Sequence, residues 1–213
     1  RILGYKTIRK RAESSFTEKK SEFIGYISPA ETEEEAIAFI NEIRAMHRKA
    51  THNCYAYILR NNNTSRHSDD GEPGGTAGMP IYDVLSKNGI TDVVCVVTRY
   101  FGGILLGTGG LVHAYSKGAS TALANSDIVT MEVADSLKIS CDYTMYGMIG
   151  SVLPEYEAII RNTEYSDIVC VYADVKAELT AELISKLIDK CNGKVDIKKL
   201  SNGCVEFLIF LKN

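Results

Sequence analysis

Thr98-Arg99-Tyr100-Phe101-Gly102-Gly103-Ile104-Leu105-Leu106-Gly107-Thr108-Gly109-Gly110-Leu111-Val112-His113-Ala114-Tyr115 follows a buried-strand pattern, Val93 to Thr98, and leads into a helical one. Five of the chain's 17 glycines fall between Gly102 and Gly110. Glycine accepts positive φ and lets another backbone or a ligand come close, so the cluster reads either as a tight strand-to-helix turn or as a cradle for an anion. Both readings stand. A P-loop would need Gly-Lys and then Ser or Thr where Gly109-Gly110-Leu111 stands, and the dinucleotide fingerprint read from Gly107 would need glycine at Val112. What remains is a helix start near Gly110 whose free N–H groups carry partial positive charge, with Arg99 upstream as a candidate phosphate contact.

Working outward, the N-terminal side opens with a strand or hairpin over Phe16 and Ser21 to Ile27, with Lys19-Lys20 at its turn. Thr32 and Glu35 form a capping box, and Ala36, Ile37, Phe39, Ile40 and Ile43 recur at helical spacing to Met46. Arg44, His47, Arg48 and Lys49 gather at the end of that helix, where its dipole favours positive charge. Asn53 to Leu59 reads as a strand. It is followed by a polar loop, Arg60 to Thr76, too long for a simple connection and therefore a functional candidate. A helix with Pro80 in its first turn and Gly89 past its last leads to the strand at Val93. On the C-terminal side, a helix from about Leu111 to Asn125 closes this α/β unit.

Past Val129 the pattern restarts. Ser136 to Tyr143 reads as a strand, Tyr146 to Asn162 as a helix, Ile168 to Lys176 as a strand and Thr180 to Cys191 as a helix stopped by Gly193. Val195 to Leu200 and Cys204 to Leu211 read as a hairpin around Asn202-Gly203. With a short strand near Glu164 to Ser166, this is a ferredoxin-like βαββαβ order. The expected fold is α+β in two domains, residues 1–134 and 135–213.

The chain has 213 residues, 45% hydrophobic and 24% charged, with a formal net charge of -3. Disordered and fibrous classes are excluded. Residues 1–134 hold 15 Lys and Arg against 15 Asp and Glu, so the acidity sits in the C-terminal part. A neutral domain with local cations suits selective phosphate contact, and a pI near 5.9 argues against an indiscriminate nucleic-acid binder. Uncharged runs stop well short of the roughly 18 to 20 apolar residues of a membrane span, so no membrane partner and a cytoplasmic location are expected. The six cysteines are scattered singly and read as buried thiols.

Asp69, Asp70 and Glu72 put three carboxylates on one glycine-rich loop, with His52 and His67 within reach. Such a group could hold Mg²⁺ for hydrolase or nuclease chemistry, but loop carboxylates more often bond backbone N–H groups in turns and caps. Cys54 near His52 lacks an orienting third group, so no catalytic residue, resident metal or cofactor is assigned. Tyr55, Tyr57, Tyr100, Phe101 and Tyr115 could stack on bases, although strand aromatics are more often core.

Three blocks in order, Thr51-His52-Asn53-Cys54, then Ser68-Asp69-Asp70-Gly71-Glu72-Pro73 through Gly75-Thr76-Ala77-Gly78, then Arg99 through Tyr115, closely resemble the YigZ/IMPACT family. The resemblance implies an N-terminal ribosomal-protein-like βα domain, as in elongation factor G domain IV, and a C-terminal ferredoxin-like domain, as in its domain V. It also implies a non-enzymatic, translation-associated protein binding RNA or the ribosome weakly, with a protein partner in translational control as a further expectation. A metal-dependent hydrolase or nuclease using Asp69, Asp70 and Glu72 is the alternative. The expected phosphate-binding or RNA-binding set is Arg44, Arg48, Lys49, His52, Arg99, Gly102, Gly103, Gly107, Gly109, Gly110 and His113. The family-motif loop is Asp69, Asp70, Gly71, Glu72, Pro73, Gly75, Thr76 and Gly78. Family members usually place Lys or Arg where this chain has His113, which implies weaker and more pH-sensitive phosphate binding if that position touches phosphate.

Overall fold

A computed structural model describes residues 4–206. The chain divides into two compact units, one spanning Tyr5–Thr130 and a second built from Met131 onward. The first unit contains β1 (Tyr5–Ile8), β2 (Ala12–Glu18), β3 (Ser21–Pro29), α1 (Glu33–Met46), β4 (His52–Leu59), β5 (Thr64–Ser68), α2 (Gly78–Lys87), β6 (Val93–Tyr100) and α3 (Gly107–Asn125). Its main sheet has five strands in the order β2-β3-β6-β4-β5, each pair antiparallel.

Central strand β6 explains the layering. Successive side chains of a strand point to opposite faces, so a run buried on both sides must be apolar throughout. Val94 and Val96 pack with Ala36, Phe39, Ile40 and Ile43 of α1. Val93, Cys95 and Val97 pack on the other face with Ile81 and Leu85 of α2 and Ala114, Tyr115 and Ala119 of α3. The unit is therefore helix, sheet, helix pair. α1 starts at the capping box read from the sequence: Thr32 Oγ1 accepts from the Glu35 N–H at 3.2 Å, and the Glu35 carboxylate accepts from the Glu31 N–H at 2.7 Å.

Lys19 and Lys20 both adopt positive φ, 44° and 64°, and join β2 to β3 with Glu18 paired to Ser21. That is the two-residue turn whose twist suits a hairpin. The stretch expected as a plain loop after β4 instead contains β5, which pairs antiparallel with β4 through a turn holding Asn62 and Asn63 at positive φ. Thr64-Ser65-Arg66-His67-Ser68 is a polar edge strand, so no apolar alternation marks it.

The second unit contains β7 (Ile128–Cys141), α4 (Tyr143–Val152), β8 (Ile159–Tyr165), β9 (Val169–Lys176), α5 (Thr180–Lys190) and β10 (Val195–Glu206). Its strands run β10-β7-β9-β8, all antiparallel, which is the ferredoxin-like arrangement. Leu137, Ile139, Val169, Val171, Leu183 and Leu187 are among its core residues. Two expectations fail here. The helix expected over Tyr146 to Asn162 ends at Val152, passes into a 3-10 turn at Leu153–Tyr156 containing Pro154, and gives way to β8. Proline removes an N–H, and Glu157 then takes positive φ, so the helix cannot continue. The hairpin around Asn202-Gly203 is also absent: β10 runs straight through both residues against β7, with one irregularity between Lys199 and Ser201. The Asn202 side chain is occupied otherwise, donating to Asp135 Oδ1 at 2.7 Å. The rest of the expected second arm, residues 207–211, lies outside the described residues.

Candidate functional site

The register of the first sheet brings the three motif blocks to one end of it. His52 at the start of β4 pairs with Arg99 near the end of β6, and Glu22 near the start of β3 pairs with Tyr100. The Lys19-Lys20 turn, the Arg48 to Thr51 connection, the Asp69 to Gly78 loop and the Phe101 to Leu106 turn therefore meet there.

The carboxylate loop is held by its own acids. Asp69 Oδ1 accepts from the N–H groups of Ala77 and Gly78 at 3.1 and 2.8 Å, and Oδ2 accepts from Gly75 at 2.8 Å. Burial alone would raise the Asp69 pKa, but these three donors outweigh it and hold the group below the ordinary carboxylate range. Asp69 thus serves as the absent cap of α2, since Ala77 offers no side-chain acceptor. Gly78 is required beside it: a Cβ there would stand 2.7 Å from the Ser68 backbone. Thr76 Oγ1 donates to Pro73 O at 2.6 Å and tightens the same turn. Asp70 Oδ2 accepts from the Asn53 N–H at 2.7 Å, and its Oδ1 meets Arg44 at 3.3 Å. Its carbonyl accepts from His52 Nδ1 at 2.8 Å.

Glu72 enters the interior. Its Oε1 takes the Arg99 Nη1 at 2.7 Å and the Tyr115 hydroxyl at 2.7 Å, with both charged side chains 6% exposed or less. His52 Nδ1 is committed to a carbonyl, which turns Nε2 toward Glu72 Oε2 at 3.7 Å, beyond hydrogen-bond reach. Arg99 also donates to Ser21 Oγ at 3.3 Å, and its guanidinium lies between the rings of Phe23 and Phe101 at 5.5 and 5.4 Å. The side chain expected to meet phosphate therefore meets Glu72 first. Arg99 Nε is buried without a hydrogen-bond partner.

The glycine turn shows the close backbone approach that one reading of it expects. Gly102 is a packing solution: its Cβ would lie 2.0 Å from the Lys20 carbonyl, and its N–H donates to Ser21 Oγ at 3.2 Å. Gly103 and Gly107 have φ of 81° and 76° in open surroundings. α3 begins at Gly107, one turn earlier than expected, and no side chain caps it. A cavity of about 470 Å³ opens between that helix start and the carboxylate loop, walled by His52, Glu72, Arg99, Phe101, Leu106 and Thr108.

Of the other expected residues, Arg48 and Lys49 are exposed at the same end of the sheet, and so are Lys19 and Lys20, which lie outside the expected set. Arg44 is spent on Asp70 and the Tyr55 ring. Gly109 is exposed and Gly110 lies against Leu106; His113 is exposed further along α3 and does not wall the cavity. Tyr115 is fully buried, edge-on to Phe23, so Phe101, 47% exposed, is the aromatic ring presented at the rim. Cys54 Sγ donates to the Asp69 carbonyl at 2.9 Å, and burial pushes its thiol up, which makes it a poor nucleophile. Among the described residues no group of His, Cys, Asp and Glu is arranged to hold a metal, and no helix is long and apolar enough to cross a membrane.

Comparison with known proteins agrees with this architecture. Residues 19–123 match the Impact N-terminal domain, and residues 139–194 match a domain of unknown function, DUF1949. The IMPACT family member YvyE of Bacillus subtilis is 39% identical over 199 residues, covering 93% of this chain and 92% of that protein. The IMPACT family member YigZ of Escherichia coli is 38% identical, covering 71% and 76%. A solved structure described as that of a hypothetical protein superimposes with a TM-score of 0.60 at 32% identity, covering 94% of this chain and 98% of that one. With its two domains matched and its relatives aligned over most of their length, the chain belongs to the IMPACT family.

Proposed function

We propose that this chain is a non-enzymatic, translation-associated protein that binds RNA or the ribosome through the motif-bearing end of its first sheet. One observation carries the reading: Lys19, Lys20, Arg48 and Lys49 are exposed at the end of the sheet that carries the motif loops, while Asp69, Asp70 and Glu72 are engaged by internal donors. Four exposed cations on a domain that is neutral as a whole suit a selective phosphate contact. The acidic second domain would orient the first on a large partner instead of binding phosphate itself.

Hydrolase or nuclease chemistry draws no support from the site. A divalent cation needs carboxylate oxygens that converge and are free to ligate, and here each acid is turned to a different protein donor. The test is co-sedimentation with ribosomes and binding to structured RNA across a salt series. Replacing Lys19, Lys20, Arg48 and Lys49 by Ala should weaken binding and flatten the log affinity against log salt slope by about 0.7 to 0.9 for each phosphate that the variant no longer neutralises. Binding that ignores salt, or survives all four substitutions, overturns the proposal.

A further inference from the structure

Phosphate binding by the first domain leaves an aromatic patch on the second without a role. Tyr143 and Tyr146 stand on the first turn of α4, at a spacing that puts them on one helix face. Both reach the turn between β8 and β9. The Tyr143 hydroxyl donates to the Ser166 carbonyl at 2.7 Å, and the Tyr146 and Tyr165 hydroxyls lie 3.0 Å apart with their rings edge-to-face at 5.9 Å. Tyr146 packs partly into the core, whereas Tyr143 and Tyr165 are 55% and 60% exposed, and Ile168 in the same turn is 44% exposed. Tyrosines held in place by one another and open to solvent have the composition of a recognition surface.

Two further observations say what fits it. Asp142, next to Tyr143, and Asp167, in the β8 to β9 turn, are both exposed, and among the described residues neither forms a salt bridge. Lys194 near Asp142 offsets part of that charge, but residues 1–134 are neutral, so the whole net charge of -3 lies in the C-terminal part. Ring faces edged by carboxylates attract a cation and repel a nucleic-acid backbone. In addition, β8 ends the strand order of its sheet: among the described residues it pairs with β9 alone, regularly from Asn162 to Tyr165. Its outer edge therefore offers main-chain N–H and C=O groups to an extended segment.

We propose that this end of the second domain docks an extended, basic segment of a partner protein, which adds to the free edge of β8 and lays a cationic side chain against Tyr165 and Tyr143. This gives a chemical class to the large partner on which the acidic domain orients the first, and rests on that part of the proposed function. Arginine should be preferred to lysine, because its planar guanidinium stacks on a ring and is more weakly hydrated.

The probes are short synthetic peptides bearing arginine at alternate positions, and the same peptides with lysine, glutamine or glutamate there, titrated into the full-length protein and followed by NMR and calorimetry. The expected result is saturable binding that falls in the order arginine, lysine, glutamine, is absent for glutamate and weakens with salt, with added hydrogen-exchange protection at β8 amides. Tyr165→Leu keeps an apolar side chain at an exposed position and removes the ring face; it should weaken the arginine peptide about threefold to fivefold. Asp167→Lys, also at an exposed position, should weaken it by about tenfold through charge reversal. Circular dichroism checks that both variants keep the fold. Absence of binding by the wild type, equal binding of the glutamine peptide, or unchanged affinity in both variants refutes the proposal. So does oligonucleotide binding that Tyr165→Leu abolishes, which assigns the rings to nucleic acid, or self-association that it abolishes, which assigns the edge to a second copy. Peptide binding without ribosome or RNA association keeps this docking site and removes the proposed function; ribosome or RNA association without peptide binding does the opposite.

Discussion

Replacing Glu72 by Ala probes the polar centre that holds the motif loop against the sheet. Glu72 is 3% exposed at its side chain and Arg99 6%, so the substitution leaves a buried guanidinium without its carboxylate. Removing one partner of a buried pair costs about 3 to 5 kcal/mol. Tyr115 loses its acceptor as well, and an unsatisfied buried hydroxyl alone costs about 1 to 3 kcal/mol. The two do not add in full, because water entering from the adjoining cavity serves both groups, so about 3 to 5 kcal/mol is the expected total. At a urea m-value of about 2 kcal/mol/M, this moves the midpoint down by about 1.5 to 2.5 M. Circular dichroism follows the transition, and hydrogen exchange at β6 amides reports the first domain separately. The decisive comparison is Glu72→Met with Arg99→Met. Removing both charges leaves no uncompensated ion, so the double variant should be more stable than Glu72→Ala alone. A loss below about 1 kcal/mol for Glu72→Ala, or a double variant less stable than the single, refutes the reasoning.

Asp69, held below the ordinary carboxylate range, stabilises the folded state above its unfolded pKa of about 4, and that contribution disappears as pH falls through the lower folded value. Acid titration of the wild type against Asp69→Asn should therefore show the variant less stable at pH 7 and the difference shrinking below about pH 4; a constant gap would contradict the assignment. Gly102→Ala should destabilise the first domain by more than about 2 kcal/mol in urea unfolding, because its Cβ would meet Lys20 backbone at 2.0 Å and not a flexible side chain. Wild-type stability in that variant would show that the hairpin turn moves aside freely.

Periodicity makes most of the first domain legible. The unbroken apolar run of β6, the capping box of α1 and the glycine turn before α3 each carry a local signature. What escapes are elements set by long-range pairing. β5 is a polar edge strand recruited by β4, and β10 passes through Asn202-Gly203 because β7 offers a full ladder and Asp135 takes the Asn202 amide, which overrides a local turn preference. In the site, the bonding of loop carboxylates to backbone N–H groups is legible from composition alone. The fate of Arg99 is not, since a cation beside a glycine turn gives no sign of a glutamate 27 positions earlier in the chain.

That pairing changes how the motif blocks bear on function. Asp69 caps α2, Asp70 ties the loop to β4 and Glu72 locks it to β6 and α3; Gly78 and Gly102 let backbones approach where no Cβ fits. The residues that look most like chemistry are therefore the ones that shape the loops. Their substitution unfolds or loosens the site, and weaker binding in such variants carries no information about which groups touch the ligand. What these loops hold in place is a small exposed set: the start of α3, the Phe101 ring and the cations at Lys19, Lys20, Arg48 and Lys49. Those positions bear little of the packing, so the proposed binding can be tested there apart from folding by single surface substitutions, whereas at Asp69, Glu72 or Arg99 a loss of binding could not be told from a loss of structure.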